Sequence, residues 1–398
     1  MNISFVVPSW HYLANPFKIQ PYWELYYATI LRDKLSSNAN VDLIDLRGVK
    51  SEGLQDQINS IEQKDFYCYW ILKSGDAIEI YSLAKILKKK YPNSIHIAGG
   101  THVDKLPDEC EKHFDHIIVG PGENNFYNAI IKKDKKKYID TYKNVSFEST
   151  PYPDRSLLPY KNIISNEMFT QYGDMNATML YFSRGCFYRC SYCVYNTPNM
   201  LQARSKKMMI DELNHLKNDY KVEAVLLKDE IAINPKKQVY ENQIEAFGQS
   251  GLKWRGQTTS IATYEQLKLA KDSGCMELAV GVETVDDNVM KTINKQWQNQ
   301  DTIRKFIENA KKAEIKIKIC LILGLPGEPE DITKKTISFL SETKPDYVAV
   351  SGFCPIPGSP IFMNPEKYGI KTIDNDWSKH AHLLFRFAEE EEVGIPFE

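Results

Sequence analysis

Ser183-Arg-Gly-Cys-Phe-Tyr-Arg-Cys-Ser-Tyr-Cys-Val-Tyr195 is the stretch on which the fold prediction depends, because it places three cysteines in a C-x3-C-x2-C spacing. These cysteines are Cys186, Cys190 and Cys193. Three thiolates so close in sequence can hold three irons of a 4Fe-4S cluster and leave the fourth iron with an open coordination position. The spacing therefore predicts one cluster whose open iron can bind a further molecule.

A structural zinc site is the alternative for the three thiols. It would need a fourth protein ligand at similar range, and the downstream candidates His215 and Cys275 belong to no paired C-x2-C or H-x3-H pattern. The other cysteines are isolated, and most lie in apolar stretches where a small buried thiol is the ordinary explanation. These five are Cys68, Cys110, Cys275, Cys320 and Cys354. The sequence favours the iron-sulfur cluster over zinc.

The cysteine motif resembles the signature of the radical S-adenosylmethionine (radical SAM) enzymes, C-x3-C-x-aromatic-C, with Tyr192 in the aromatic position. The resemblance implies that the open iron chelates the amino and carboxylate groups of S-adenosylmethionine (SAM). It also implies the reaction, in which one electron from the reduced cluster cleaves SAM to a 5'-deoxyadenosyl radical. An electron donor such as flavodoxin or ferredoxin is then an expected partner.

Strand and helix patterns alternate around and after the cysteines, which indicates an α/β fold. Ala177–Phe182 reads as a buried strand, and the cysteines follow at its carboxyl end, where barrels of parallel strands carry their chemistry. Five more strand patterns follow, at residues 222–227, 256–260, 277–281, 316–323 and 346–350. Six strands predict a partial (β/α)6 barrel over residues 161–362, as the resemblance implies.

Two loops of the predicted barrel resemble elements that bind SAM in the family. The run Ala279–Thr284 resembles the strand-four G-x-E element, in which Gly281 would allow close backbone approach and Glu283 would offer a carboxylate to a hydroxyl or ammonium group. A helix N-terminal carboxylate is the alternative role for Glu283. Asp229 and Glu230 stand where relatives often have a Gly-Gly-Glu run that binds the methionine amino group.

Two turns extend the resemblance. Leu323–Glu328 resembles the strand-five turn that packs near the adenine, and a plain Gly-Pro turn is the alternative. Cys354–Pro360 matches the Pro-x-Pro-Gly-Ser/Thr turn after strand six, a rigid loop expected to line the substrate side. The tail predicted for residues 363–398 is too short for an added iron-sulfur or peptide-recognition domain, which favours a small molecule or lipid precursor as substrate.

The N-terminal third predicts a second unit, at residues 1–131. Its short apolar strands are separated by helix-like stretches, and they lie at residues 2–7, 41–45, 66–71, 94–98 and 116–119. Such alternation predicts a doubly wound parallel sheet that binds ligands at the carboxyl ends of its strands.

Two glycine loops fall on that rim and resemble the G-G-x-H and G-E-G-E loops of the cobalamin-binding domain found beside radical SAM barrels in one large subfamily. Their residues, which the resemblance implies contact cobalamin, are Gly99, Gly100, Thr101, His102, Gly120, Gly122 and Glu123. The loop Pro8–Pro16 lacks the D-x-H-x-x-G motif whose histidine ligates cobalt, so we expect base-off cobalamin with no protein ligand. His11 and His102 are better read as ordinary loop histidines.

Composition excludes several other classes. A net charge of -2 gives no electrostatic case for nucleic acid or a membrane surface. The lysine-rich start of the predicted linker, residues 132–160, reads as a solvated helix end. No run of 18 apolar residues and no basic leader are present, and an oxygen-sensitive cluster needs a reducing compartment, so we expect a cytoplasmic protein.

Three functions remain open from the sequence. The first is a cobalamin-dependent radical SAM methyltransferase that acts on an unactivated carbon. The second is a cobalamin-independent radical SAM enzyme that performs an oxidative rearrangement, a cyclisation or carbon-carbon bond formation. The third is a non-catalytic cofactor or redox sensor, which is disfavoured because a sensor has no need of a barrel with loops for adenine and methionine.

Overall fold

The structure is a computed structural model that describes residues 1–10, 13, 15–35, 37, 39–49, 51–194, 200–380 and 395–396. The chain forms two compact units. The first comprises Met1–Ile163 and a short segment that begins at Asp374, and the second is built on Ile164–Ile373. Among the described helices, none is both long enough and apolar enough to cross a membrane.

The first unit is a six-stranded parallel sheet with helices between its strands. The strands are β1 (Asn2–Val7), β2 (Asn40–Asp45), β3 (Phe66–Trp70), β4 (Ile95–Gly99), β5 (His116–Val119) and β6 (Lys137–Ile139). The helices are α1 (Tyr22–Leu35), α2 (Ser51–Ser60), α3 (Ser74–Lys90), α4 (Thr101–Lys105), α5 (Pro107–Cys110) and α6 (Gly122–Lys132).

The strand order in this sheet is β2-β1-β3-β4-β5-β6. Every residue of β3 is buried, as expected for a parallel strand that helices cover on both faces. The order reverses between β1 and β3, so the carboxyl ends of these strands form the switch point where doubly wound sheets bind ligands. The predicted doubly wound parallel sheet is therefore present.

The segment predicted as a linker contributes to the first unit. Its strand β6 pairs with β5 at the edge of the sheet, and the side chain of Tyr138 is buried there. Asn162 joins the same unit, because its carbonyl accepts a hydrogen bond of 2.9 Å from the buried guanidinium of Arg47. The sequence did not indicate β6 because only two apolar residues follow the lysine run, too few for a strand pattern.

The second unit contains a seven-stranded sheet in the order β15-β14-β13-β12-β11-β10-β7 and a separate hairpin of β8 and β9. Its strands are β7 (Ala177–Leu180), β8 (Ser183–Arg184), β9 (Gln202–Ala203), β10 (Ala224–Leu227), β11 (Lys253–Thr258), β12 (Cys275–Glu283), β13 (Lys316–Leu323), β14 (Tyr347–Gly352) and β15 (Ile395–Pro396). Its helices are α7 (Lys206–Asp219), α8 (Lys237–Ser250), α9 (Tyr264–Asp272), α10 (Asp287–Thr292), α11 (Gln300–Lys312), α12 (Ile332–Thr343) and α13 (Pro360–Met363).

The six strands from β7 to β14 in the large sheet are parallel neighbours, and β15 adds an antiparallel pair at the edge of β14. Among the described strands, β7 and β14 do not pair with each other, so the barrel is open. This is the predicted partial barrel of six βα units. All six parallel strands end on one rim, and the cysteines follow the first of them.

The predicted tail is divided between units. The segment that begins at Asp374 packs on the first unit, where the indole Nε1 of Trp377 donates a hydrogen bond of 2.7 Å to Glu109 Oε1. The Trp377 ring also meets the His102 ring edge to face, with centroids 5.7 Å apart. Residues 381–394, which belong to the same predicted tail, lie outside the described residues.

Candidate active site

The base of the cysteine loop is closed by the β8–β9 hairpin. The guanidinium of Arg184 donates two hydrogen bonds, of 2.9 and 2.7 Å, to Gln202 Oε1 across this hairpin. Gly185 then has a φ of +88°, and a Cβ at this position would lie 2.0 Å from the carbonyl oxygen of Met200. The loop can therefore start only with a glycine here, directly before the first cysteine.

A segment between α10 and α11 holds the middle of the cysteine loop. We name this segment, Ile293–Lys295, the clamp segment. Its Ile293 carbonyl accepts a hydrogen bond of 2.8 Å from the amide of Ser191, and its Asn294 side-chain amide donates one of 2.6 Å to the carbonyl of Arg189. The position of the cysteine loop thus depends on a segment about a hundred residues further along the chain.

The three thiols lie together on this loop, with Cys190 buried and the other two half-buried. Burial raises the pKa of Cys186 and Cys190, and the ammonium of Lys295 acts against burial at both. Within the described ranges, no three side chains of His, Cys, Asp or Glu converge where a single metal ion could bind. A 4Fe-4S cluster makes a different demand, because each thiolate binds a separate iron. A cluster held by Cys186, Cys190 and Cys193 therefore stays a prediction.

Asp229 follows β10 and supports the start of the cysteine loop. The carboxylate is fully buried and accepts hydrogen bonds from the amide of Phe182 at 2.7 Å, from the Ser183 hydroxyl and from the Gln243 side chain at 2.9 Å. Burial raises its pKa to about 7 in spite of these donors. All three bonds are made within the protein, so a contact between Asp229 and SAM stays a prediction.

Glu230 presents a different arrangement. Burial raises the pKa of this carboxyl group to about 8, and the neighbouring Asp229 adds to the rise. Its Oε2 is buried and has no hydrogen-bond partner among the described residues. A buried oxygen without a donor is costly, and the ammonium group of a ligand would remove that cost. Glu230 therefore fits the predicted role at the amino group of SAM.

Glu283 lies at the carboxyl end of β12, where the pairing with β13 is interrupted by a bulge between Gly281 and Glu283. Its φ is +66°, a conformation that costs a non-glycine residue free energy and is concentrated at functional sites. Its Oε1 accepts hydrogen bonds of 2.9 Å from the Tyr192 hydroxyl and 2.8 Å from the Lys295 ammonium. Its Oε2 makes no hydrogen bond to any residue that the structure describes.

The helix that follows Glu283 is capped by another residue. Asp286 is the N-cap of α10 and accepts hydrogen bonds from the amides of Asn288 at 2.9 Å and Val289 at 3.2 Å. Glu283 lies three residues before this cap and faces the cysteine loop instead. The alternative role that the sequence allowed for Glu283, a helix N-terminal carboxylate, is therefore not the arrangement observed.

Gly281 is required by the contacts of Glu283. A Cβ at this position would lie 2.5 Å from Glu283 Oε1 and 3.2 Å from the Nζ of Lys295. The Gly281 carbonyl also accepts a hydrogen bond of 2.7 Å from Lys295. The close backbone approach that the sequence predicted at Gly281 is made by the Glu283 and Lys295 side chains.

The two predicted turns also meet the cysteine loop. Tyr192 packs against a small apolar cluster that includes Leu325 of the strand-five turn. That turn is closed by Glu328, whose Oε2 accepts a hydrogen bond of 2.8 Å from the amide of Gly324. After the other turn, the amide of Ile361 donates to the carbonyl of Ser191 at 3.0 Å. Both turns thus help to fix the loop that carries Tyr192.

In the first unit, the four predicted cobalamin-contacting glycines face protein. A Cβ would lie 2.8 Å from the Trp70 ring at Gly99, 2.5 Å from the Ile71 carbonyl oxygen at Gly100, 2.2 Å from the Asp140 carbonyl oxygen at Gly120 and 2.7 Å from the Tyr27 ring at Gly122. Lack of a side chain therefore allows the chain to pack on itself at these positions. Contact of these glycines with a corrin ring, which the sequence suggested as their reason, stays a prediction.

The polar residues of the same loops are also engaged. His102 is buried, with Nε2 2.8 Å from the Tyr81 hydroxyl and Nδ1 2.9 Å from the Ser74 hydroxyl, and burial lowers its pKa to about 4. Glu123 Oε1 accepts a hydrogen bond of 2.9 Å from a buried tyrosine, Tyr26. Thr101 begins α4. His102 makes ordinary hydrogen bonds, as we expected, but it lies in the helix α4 and not on a loop. His11 lies outside the described residues.

The sequence did not indicate Lys295 or a second group of charges at the other end of β12. There Glu277, which is 2% exposed, has its Oε1 3.7 Å from an Arg255 nitrogen and 3.5 Å from the Lys318 Nζ. Its Oε2 accepts hydrogen bonds from Tyr172 at 2.8 Å and Gln171 at 3.0 Å. The available signal was the period of two along β12, which puts Glu277 on the face of Glu283.

Comparison with known proteins shows a similarity that lies in the second unit. Residues 180–340 match the family model described as Radical SAM superfamily. Bacteriochlorophyllide d C-12(1)-methyltransferase of Chlorobaculum tepidum is 22% identical over 311 residues, which are 75% of this chain. The alignment spans 65% of the length of that relative, slightly less than two thirds.

Two solved structures resemble the whole chain. TsrM from Kitasatospora setae, a radical SAM methyltransferase with tryptophan and a SAM analogue bound, has a TM-score of 0.71 and 14% identity over 90% of this chain and 75% of that one. OxsB, a cobalamin-dependent radical SAM enzyme with aqua-cobalamin and SAM bound, has a TM-score of 0.73 and 14% identity over 98% of this chain and 65% of that one. These likenesses confirm the predicted fold class.

Proposed function

Because residues 180–340 match the family model of the Radical SAM superfamily, we propose that the chain is an enzyme of this superfamily that cleaves SAM reductively at a 4Fe-4S cluster. Cys186, Cys190 and Cys193 would hold the cluster. The observation that carries this proposal is the pair of carboxylates beside the cysteine loop, each with one oxygen that lacks a hydrogen-bond donor among the described residues. When bound, the cluster and SAM supply a radical that removes hydrogen from a carbon.

Each residue of the site then has a stated task. The Oε2 of Glu230 would accept a hydrogen bond from the ammonium group of SAM. The Oε2 of Glu283 would accept one from a hydroxyl group of the same ligand. Tyr192 stays protonated, because burial and the Glu283 charge raise its pKa well above the ordinary value, so its hydroxyl remains a donor to Glu283. These residues bind and orient SAM on the open iron.

The reaction that we propose is a cobalamin-dependent methyl transfer to an unactivated carbon of a small molecule or lipid precursor. Radical chemistry suits a carbon that offers no nucleophile. Three lines of support are the resemblance to TsrM and OxsB, the similarity to a methyltransferase of Chlorobaculum tepidum, and a first unit whose switch point lies on the rim where ligands bind. Flavodoxin or ferredoxin would supply the electron.

A cobalamin-independent radical SAM enzyme is the second candidate. It is favoured by the glycines of the first unit, whose missing side chains leave room for protein atoms of the same unit. In that case the first unit is a structural domain, and the reaction is an oxidative rearrangement, a cyclisation or carbon-carbon bond formation. The two candidates share the cluster site and differ in the role of the first unit.

The cluster is tested by anaerobic reconstitution of the wild-type chain and of the triple variant Cys186→Ala, Cys190→Ala, Cys193→Ala. We expect the wild type to bind about four irons and to form 5'-deoxyadenosine from SAM with dithionite as reductant. The triple variant should lose both, because no other three cysteines are close in sequence. Cys354→Ala removes an isolated thiol and is the control, with iron content unchanged. An unchanged iron content in the triple variant would refute the proposal.

Cobalamin is tested in the same preparation by its visible absorption after incubation and gel filtration. Uptake of about one cobalamin per chain, together with methylated product, supports methyl transfer. Methyl transfer without 5'-deoxyadenosine would indicate a polar rather than a radical methylation. If the wild type takes up no cobalamin, the cobalamin-independent enzyme is the correct account. Gly100→Trp is unsuitable as a blocking variant, because the side chain would collide with the Ile71 backbone.

A further inference from the structure

We propose that Lys295 is a positioning residue, which fixes the carboxylate of Glu283 so that one of its oxygens is presented to SAM. The inference rests on the proposed function, since it concerns the same site. Lys295 belongs to the clamp segment and lies twelve residues after Glu283.

The ammonium group of Lys295 is held by three polar atoms. It donates to the Gly281 carbonyl at 2.7 Å and to Glu283 Oε1 at 2.8 Å, and it lies 3.3 Å from the Tyr192 hydroxyl oxygen. The side chain is 5% exposed. Its Nζ also lies 5.3 Å from the centre of the Trp297 ring, within the range of a cation-π contact. A lysine has three N–H donors, so the geometry leaves this group little freedom to turn.

The consequence falls on Glu283. Its Oε1 takes hydrogen bonds from both Lys295 and Tyr192, while its Oε2 makes none to the described residues. A directional hydrogen bond from an adjacent cation sets the plane of a carboxylate. The bulge and the φ of +66° bring Glu283 to this place at a cost in free energy, which the contacts with Lys295 and Gly281 help to offset.

Lys295 also joins two parts of the site. Tyr192 stands between Cys190 and Cys193, and its hydroxyl meets both Lys295 and Glu283. The other two residues of the clamp segment bond to the backbone of the same cysteine loop. A shift of Lys295 would therefore move the SAM-facing carboxylate relative to the cysteines that hold the cluster.

A purely structural ion pair is the competing explanation, and the barrel provides its own control. Lys318 is buried to a similar degree, with a side chain 7% exposed, and pairs with Glu277 at the opposite end of the same strand. Both lysines have an acidic partner on β12. Loss of a buried lysine should therefore disturb packing comparably at either end, whereas only Lys295 stands beside the proposed SAM site.

The test is a double-mutant cycle on the SAM dissociation constant, measured by equilibrium dialysis of the reconstituted protein and normalised to iron content. Lys295→Met and Glu283→Gln should each weaken binding about tenfold, the effect of one charge-assisted hydrogen bond. If Lys295 acts through Glu283, the double variant should also lose about tenfold and not about a hundredfold. Lys295→Arg should retain part of the affinity, and Lys318→Met all of it.

The outcomes separate the two proposals. No SAM binding by the wild type refutes the proposed function. Normal wild-type binding with unchanged affinity in Lys295→Met, an additive double variant, or an equal loss in Lys318→Met refutes the positioning role alone. If the Lys295→Met variant binds no cluster, the double variant replaces it in the test. The double variant leaves no carboxylate without its ammonium partner. A SAM affinity of the double variant equal to that of Glu283→Gln then supports the positioning role of Lys295. A further tenfold loss of SAM affinity in the double variant refutes that role.

Discussion

The two ends of strand β12 each carry a carboxylate on the same face, buried at Glu277 and half-buried at Glu283, yet only one of them has the properties of a binding site. Glu277 and Glu283 are six residues apart, or about 20 Å along the strand. At the lower end, both oxygens of Glu277 are engaged, by Arg255, Lys318 and two side chains that precede β7. At the upper end, the hydrogen bonds that Glu283 makes to described residues all go to Oε1, which leaves Oε2 without a donor among them.

The two groups differ in how many oxygens of the carboxylate contact other described residues, and not in the presence of charge. The lower group has two cations around one carboxylate, and the polar side chains of Tyr172 and Gln171 satisfy the second oxygen. This group also contains two buried polar atoms without a hydrogen-bond partner among the described residues, Nε of Arg255 and Oε1 of Gln171, but both oxygens of its carboxylate contact protein groups. The upper group combines a bulge and a positive φ, which costs free energy, with a carboxylate oxygen that has no hydrogen-bond donor among the described residues. The upper group, in which one oxygen of Glu283 is open, is the candidate binding site.

The largest effect is expected from Glu277→Gln. The substitution leaves Arg255 and Lys318 buried beside a neutral side chain, and removal of one partner from a buried ion pair costs about 3–5 kcal/mol. Urea unfolding should show this loss in the free energy of unfolding. Under conditions where the variant is folded, its SAM affinity should equal that of the wild type. A weaker SAM affinity would mean that the two ends of β12 are not separate.

We expect Gly281→Ala to lower the free energy of unfolding less than Glu277→Gln does, and also to weaken SAM binding. The new Cβ would lie 2.5 Å from Glu283 Oε1 and must displace it, at a cost of about 1–3 kcal/mol. The displaced carboxylate should bind SAM about tenfold more weakly, measured by equilibrium dialysis. Gly248→Ala in α8 is the matched control, because a Cβ there meets nothing within 4 Å. If both alanines leave SAM binding intact, the upper end does not contribute to the site.

The smallest effect is a pH dependence at the lower end. Burial lowers the pKa of Lys318 below 10.5, with the Arg255 charge adding to the shift and Glu277 opposing it. Between the lowered pKa and 10.5 the unfolded chain holds more protons at this lysine, so the free energy of unfolding rises with pH. Lys318→Met should lack this rise in urea unfolding from neutral pH to about 10.5. Parallel curves for the two proteins would contradict the prediction.

The sequence predicted the parts of the molecule that repeat or stand close together in the chain. Alternating strand and helix patterns predicted both parallel sheets, since buried parallel strands are continuous apolar runs. It placed Glu283 and Glu230 at carboxyl ends of strands, where one oxygen of each has no donor within the described part of the chain. It did not predict β6, whose apolar pattern is too short, or Lys295, whose partners are spread over the cysteine loop and β12.

The sequence by itself determined the cysteine spacing, the fold class and the resemblance to radical SAM enzymes, because these depend on residue types at fixed local intervals. Only the tertiary structure decided which carboxylates have both oxygens bonded to described residues and which have one oxygen without a donor among them. Asp229 and Glu230 are neighbours in the chain, yet one carboxylate is fully hydrogen-bonded and the other is not. The physical reason is that hydrogen bonds and burial are set by partners that the fold brings from distant positions, here from the cysteine loop, α8 and the clamp segment.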